Sequence, residues 1–194
     1  MKRVVLLLVM IVAGASQIVR GQNVALKTNV LSDAFLNPNL GIEIGLAPKW
    51  TLDIDGQLTG WKLADNKRWK HWAVQPEARY WFCDRFGGHF IGVHAHGGQF
   101  NVGGIDVKPK FLGTDFSKLK NTRFQGWFVG VGVSYGYAFV LGKHWNMEAE
   151  LGIGYSYTNY DQFRCAGCGK KIKTDIPHHY VGITKTAINL VYLF

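Results

Sequence analysis

From about residue 24 to the end of the chain, hydrophobic positions recur at every second residue, and no stretch repeats with helical spacing. Residues 24–31 open the pattern. Leu40, Ile42, Ile44 and Leu46 then alternate with Gly41, Glu43 and Gly45. Trp50, Leu52, Ile54 and Leu58 oppose Thr51, Asp53, Asp55 and Gln57. Trp72, Val74, Ala78, Tyr80 and Phe82 oppose Gln75, Glu77, Arg79 and Trp81, and Ile91, Val93 and Ala95 oppose Gly92, His94 and His96. In the second half, Trp127, Val129, Val131, Val133, Tyr135 and Tyr137 alternate with Gly126, Gly130, Gly132, Ser134 and Gly136. Trp145 to Tyr157 alternate with Glu148, Glu150, Gly152, Gly154, Ser156 and Thr158, and a last strand runs from about 180 to 194. Strict alternation is the mark of a strand with one apolar face. The pattern predicts an all-β chain of eight strands.

The connections alternate as well. Those at 47–49, 83–88 and 141–144 are short, whereas those at 32–39, 60–70, 98–122 and 161–179 are long. Short turns at one end and long loops at the other are the asymmetry of an outer-membrane barrel. The expectation is an eight-stranded antiparallel up-and-down transmembrane β-barrel formed by residues 22–194.

The amino terminus sharpens that expectation. Lys2 and Arg3 precede an apolar run at residues 4–13, and small and polar residues follow as far as Gly21. This is the build of a cleaved secretory signal, expected at residues 1–21. The run is too short to span a bilayer as a helix, which takes roughly 20 residues. Cleavage removes Lys2, Arg3 and Arg20 and no acid, so the net charge falls from +9 to +6. The remaining basic residues concentrate at 62–70, 108–123 and 164–173, which read as loops, so nucleic acid is not an expected partner.

A soluble eight-stranded barrel of the lipocalin kind would turn its apolar face inward. Here that face carries many bulky rings, which would crowd a narrow lumen. The opposite face carries Gly, Glu, Asp, Arg, His and Ser, which fit inside if the glycines relieve crowding and the charges pair. Rings also gather near the strand ends. Trp50, Tyr80, Phe82, Tyr137, Phe139, Trp145, Tyr192 and Phe194 lie towards the short turns, and Trp61, Trp69, Trp72, Trp127, Tyr157 and Tyr160 towards the long loops. Two aromatic belts flanking an apolar band fit two membrane interfaces. The lipid bilayer of the cell outer membrane is therefore the expected surround. The terminal run Ile188, Leu190, Tyr192 and Phe194 resembles the signal read by the barrel-assembly machinery, the second expected partner.

Residues 25–29 (Ala-Leu-Lys-Thr-Asn), 37–41 (Asn-Pro-Asn-Leu-Gly), 75–81 (Gln-Pro-Glu-Ala-Arg-Tyr-Trp) and 94–98 (His-Ala-His-Gly-Gly) carry a family resemblance, together with Gln125-Gly126-Trp127 and the last five residues. Over nearly the whole mature length the chain resembles domain-of-unknown-function family 3575, outer-membrane barrels of Bacteroides-type bacteria. The resemblance implies no catalytic residues. It implies neighbours among fimbrial or surface-assembly proteins.

The inward face collects Glu43, Asp53, Asp55, Glu77, Glu148 and Glu150 with Lys27, Arg79, Lys185, His94 and His96. The turn at 83–88 predicts a register in which Glu77 faces His94, Gln75 faces His96 and Arg79 faces Gly92. The turn at 141–144 places Ser134 near Glu150. An ionic network filling the lumen is the expected role, since buried charges need partners. A proton relay or catalytic cluster is the competing one. A packed lumen also disfavours a general diffusion pore.

His94 and His96 share a strand face and could bind zinc with a third ligand such as His71, although hydrogen bonds to Glu77 and Gln75 account for them more simply. Cys165 and Cys168 lie in the last long loop and fit a tight disulfide in an exported chain. The competing reading is half a zinc knuckle completed by His178 and His179. Cys83, at the opposite end, is expected to be free. Ser156, His71, His96 and Asp161 are the residues an outer-leaflet lipid hydrolase or acyltransferase would use. No cofactor is expected. The balance favours a non-enzymatic surface protein whose loops, rich in Lys, Arg, Phe and Gly, bind a surface protein or an anionic glycan.

Overall fold

The computed structural model describes residues 23–62, 68–104, 110–111, 114–115, 122–164 and 170–194. The signal at 1–21 and the cysteine pair Cys165 and Cys168 lie outside the described residues. In chain order the elements are β1 (Val24–Asn29), α1 (Val30–Ala34), β2 (Asn39–Ala47), β3 (Trp50–Lys62), β4 (Arg68–Trp81) and β5 (Gly88–Gly103). A two-residue ribbon, β6 (Lys110–Phe111) and β7 (Thr114–Asp115), precedes β8 (Arg123–Val140), β9 (Trp145–Phe163) and β10 (Lys171–Leu193). All but the ribbon strands pair antiparallel with their neighbours in sequence, and β1 closes on β10. The result is the eight-stranded up-and-down barrel that the alternation predicts. Among the described residues no helix is long and apolar enough to cross a membrane.

The long connections are shorter than their sequence suggests. β5 runs to Gly103, β9 to Phe163, and β10 begins at Lys171, so parts of 98–122 and 161–179 belong to the sheet. Ladder bonds continue there after the apolar alternation has faded, because a strand needs a paired neighbour rather than a buried face. The connection expected at 32–39 is preceded and partly occupied by α1, capped by the Asn29 side chain accepting from Leu31 N and Ser32 N.

The register also gives the stagger of the barrel. From Asn29, pairing passes through Asn189, Glu148 and Ala138 to Gly88 on β5. In the other direction, the Asn39 side chain accepts from Asn29 N and donates to Asn29 O, and the row of Asn39 runs through Gln57 and Ala73 to Gly98. The two rows meet β5 ten residues apart. Such a stagger tilts the strands by roughly 40° and leaves a lumen that side chains can fill.

The outward face is apolar: Val93, Val131, Val133, Leu151 and Ile153 are all more than half exposed. The inward face is polar and buried, with Glu43, Asp53, Arg79 and Glu148 fully shielded. An apolar plug closes the short-turn end, where Trp81, Phe86 and Phe90 pack with Ala25, Val191 and Leu193. The turn before β5 folds back to supply Phe86, held in a left-handed conformation (φ 65°) by Asn146 donating to its carbonyl at 2.5 Å.

Candidate functional site

Above the plug, six strands send charges into one cluster. Arg79, on β4, reaches across the lumen. Its guanidinium lies 2.8 Å from Glu43 on β2, 3.0 Å from Asp53 on β3, and 2.7 and 3.1 Å from Glu150 and Glu148 on β9. Its own strand adds Glu77 at 3.3 Å, and its guanidinium carbon stands 4.5 Å from the centre of the Phe90 ring. Lys27 contacts Glu43 at 2.6 Å, Asp53 at 3.0 Å and Glu148 at 3.5 Å. Lys185 pairs with Glu77 and lies 3.3 Å from both Asp55 and Glu150. Asp53 thus stands against all three cations.

Neutral groups add further bonds. Ser134 donates to Glu77 at 2.6 Å, Asn189 to Glu148 at 3.4 Å, and Thr51 to Glu43. The Trp81 indole N–H donates to Thr51 at 2.9 Å and so links the cluster to the plug. All nine charged residues named in the sequence reading as this network are brought together, although Asp55 sits at its edge with a side chain 30% exposed.

The next tier holds the histidines. The register pairs Glu77 with His94 and Arg79 with Gly92, as the turn predicts. Two expectations need correction. Ser134 faces Gly152 rather than Glu150, because the pairing across the 141–144 turn lies two residues further along than its length suggests. His94 bonds Thr184 (Nε2 to Oγ1, 2.9 Å) instead of Glu77, whose oxygens are taken by Ser134, Arg79 and Lys185. A bulge between Ile183 and Lys185 brings both Thr184 and Lys185 to the lumen, which strict alternation does not foresee. Gln75 Nε2 and the Nδ1 atoms of His94 and His96 are buried without a hydrogen-bond partner.

The glycines of β8 serve the rings of β5. A Cβ on Gly132 would lie 2.6 Å from His94 Nε2, one on Gly130 would strike the His96 ring, and one on Gly136 the Phe90 ring. Each ring lies against a glycine on the neighbouring strand, which explains why β8 alternates glycine with large apolar residues.

The groups that lipid chemistry would need are scattered. His96, Gly130, Ser156 and Tyr180 form one row across β5, β8, β9 and β10, so a glycine separates Ser156 from His96. His71 pairs with Thr59 and Phe100, higher in the lumen, and Asp161 is ion-paired with Lys171 at 2.7 Å. Among the described residues no acid joins Ser156 and His96. Among the described residues no group of three or more His, Cys, Asp or Glu is placed to hold a metal ion. His179 bonds the Tyr155 hydroxyl on the outward face at 2.5 Å, and Cys83 is free and exposed. A cavity of about 690 Å³ lies beyond the plug at the short-turn end, between Asn23, residues 46–48 and 84–86, and contains none of the predicted residues.

A model of a protein family of unknown function, DUF3575, matches residues 4–194. No curated protein matches the chain.

Proposed function

The chain belongs to the DUF3575 family, and from that premise we propose that it is a non-enzymatic outer-membrane barrel exported by its first 21 residues. One observation carries the reading: the barrel is inverted, with charges shielded inside and Val, Leu, Ile and aromatic side chains exposed outside. In water such a surface promotes association. In a bilayer it is the ordinary arrangement of a spanning barrel. Belts at both ends of the apolar band support it. Trp50 packs edge-on against Tyr80 and Trp145 against Tyr192 near the short turns, and Trp127 packs against Tyr157 near the long connections. Among the described residues the lumen is crossed by Arg79 and capped by the plug, an arrangement that disfavours a diffusion pore. Function then falls to the long-connection end, where surface structure, fimbrial assembly or binding of a surface protein or anionic glycan is proposed.

Sedimentation of cell membranes with gel mobility before and after heating tests this. The expected result is an outer-membrane band whose mobility changes on boiling. Recovery from the soluble periplasm would refute it. Co-purification from those membranes would then identify the partner, and unchanged lipid A in a deletion strain is expected of a barrel that does no lipid chemistry.

A further inference from the structure

β1 and β2 are the shortest strands of the barrel, and both stop halfway up the apolar band. The row from Asn39 runs one way to Phe128 on β8 and the other way, through Asn29, to Ala138. Neighbouring rows climb equally in opposite directions around a tilted barrel, so Asn39 is level with the midpoint of that span, Val133. Val133 is six residues from Trp127 and six from Phe139, the outward rings at either end of β8. By the same construction Asn29 is level with Val93, in the middle of the outward face of β5.

Above that level, among the described residues, β10 has no strand on its β1 side, and β3 has none beside residues 58–62. Residues 30–38 fill the gap. Asn29 continues the ladder with its side chain, donating to Thr186 O at 3.1 Å and accepting from Ile188 N at 3.3 Å. Pro38 O accepts from Leu58 N at 3.1 Å, and Asn37 Oδ1 accepts from Thr59 and the Trp69 indole. Internally, Ser32 O accepts from Phe35 N and Asn37 N, while Asp33 accepts from Thr28 and Asn39. Irregular backbone away from water must be satisfied in this way. The large apolar side chains of the segment are exposed, Val30 (48%), Phe35 (72%) and Leu36 (66%), and the one charged side chain among them, the exposed Asp33, is held by Thr28 and Asn39.

Resting on the membrane reading above, we propose that residues 30–38 are a panel of the barrel wall, not a loop in the external medium. Val30, Phe35 and Leu36 lie against lipid acyl chains in the outer half of the bilayer. The panel is joined to β10 and β3 mainly through asparagine side chains, so it is the least laddered part of the wall.

Nitroxide accessibility tests this in the full mature chain, with Cys83, Cys165 and Cys168 replaced by serine, refolded into phospholipid vesicles. Labels at Val30→Cys and Phe35→Cys should collide with oxygen in strong preference to a water-soluble nickel chelate, as a label at Val133→Cys does. A label at Asp84→Cys, in the short-turn end, should show the reverse preference by several-fold. If Val133→Cys is lipid-like while both panel sites behave like Asp84→Cys, the panel is overturned. If Val133→Cys itself favours nickel, the membrane reading beneath it is overturned instead. Either panel site alone decides the matter if the other variant does not fold.

Discussion

The two halves of the lumen are built on different principles. Near the short turns, Arg79, Lys27 and Lys185 bind six carboxylates beneath a layer of polar bonds and above an apolar plug, and almost every side chain is fully shielded. Towards the long connections, His94 and His96 lie over glycines, and His94 makes a single bond to Thr184. One half is fixed by charge and the other by shape. The contrast teaches where the barrel tolerates change: ions locked together across the lumen fail collectively, whereas rings on glycines fail one at a time.

Removing the shared cation should have the largest effect. Arg79→Met leaves five carboxylates short of a partner, and breaking a buried ion pair costs about 3–5 kcal/mol. Urea unfolding in vesicles should show that loss or no folded species at all, and a variant of wild-type stability would break the contrast. On the outward face, Val131→Arg should cost about 2–4 kcal/mol in a bilayer, because a charge near the midplane must be buried in hydrocarbon. The same assay reads it, and a negligible cost would place that face in water.

The shape-determined half should respond to added volume. Gly132→Ala drives a methyl into His94 Nε2 and the Ile153 carbonyl, both 2.6 Å from the new carbon, and overpacking of this kind costs about 1–3 kcal/mol. Gly142→Ala, with nothing within 4 Å, is the control and should change stability by less than about 0.5 kcal/mol. Equal effects at the two glycines would remove the ring-on-glycine account. The smallest of the lumen effects belongs to His94→Leu, which gives up one hydrogen bond to Thr184 and should cost about 1 kcal/mol in the same unfolding experiment. A loss as large as that of Arg79→Met would merge the two halves into one network.

Much of this was legible in the sequence because a strand's period of two is insensitive to context. Eight strands, their order and the inward set from Lys27 to Lys185 follow from alternation and the short turns alone. The features that escaped are those in which alternation breaks. The bulge at Thr184 and Lys185 turns two consecutive residues inward, and only the pairing with β9 reveals it. The two-residue offset at Ser134 depends on how the 141–144 turn closes. Asn29, Asn37 and Asn39 stood within the motif stretches of the sequence, yet their work as substitutes for missing ladder bonds appears only once β10 and β3 lie on either side. β-structure beyond the apolar band resembles loop in the sequence for a related reason: outside that band neither face of the strand is apolar, so no pattern marks it.

The proposed membrane reading has lipid solvating the outside of this barrel and its own charges solvating the inside. Refolding the denatured mature chain in matched samples with and without preformed phospholipid vesicles tests it most directly. β-sheet circular dichroism together with a heat-sensitive gel band should appear only with vesicles, the lipid-free sample aggregating. A monomeric, cooperatively folded protein in buffer without lipid or detergent would contradict the claim.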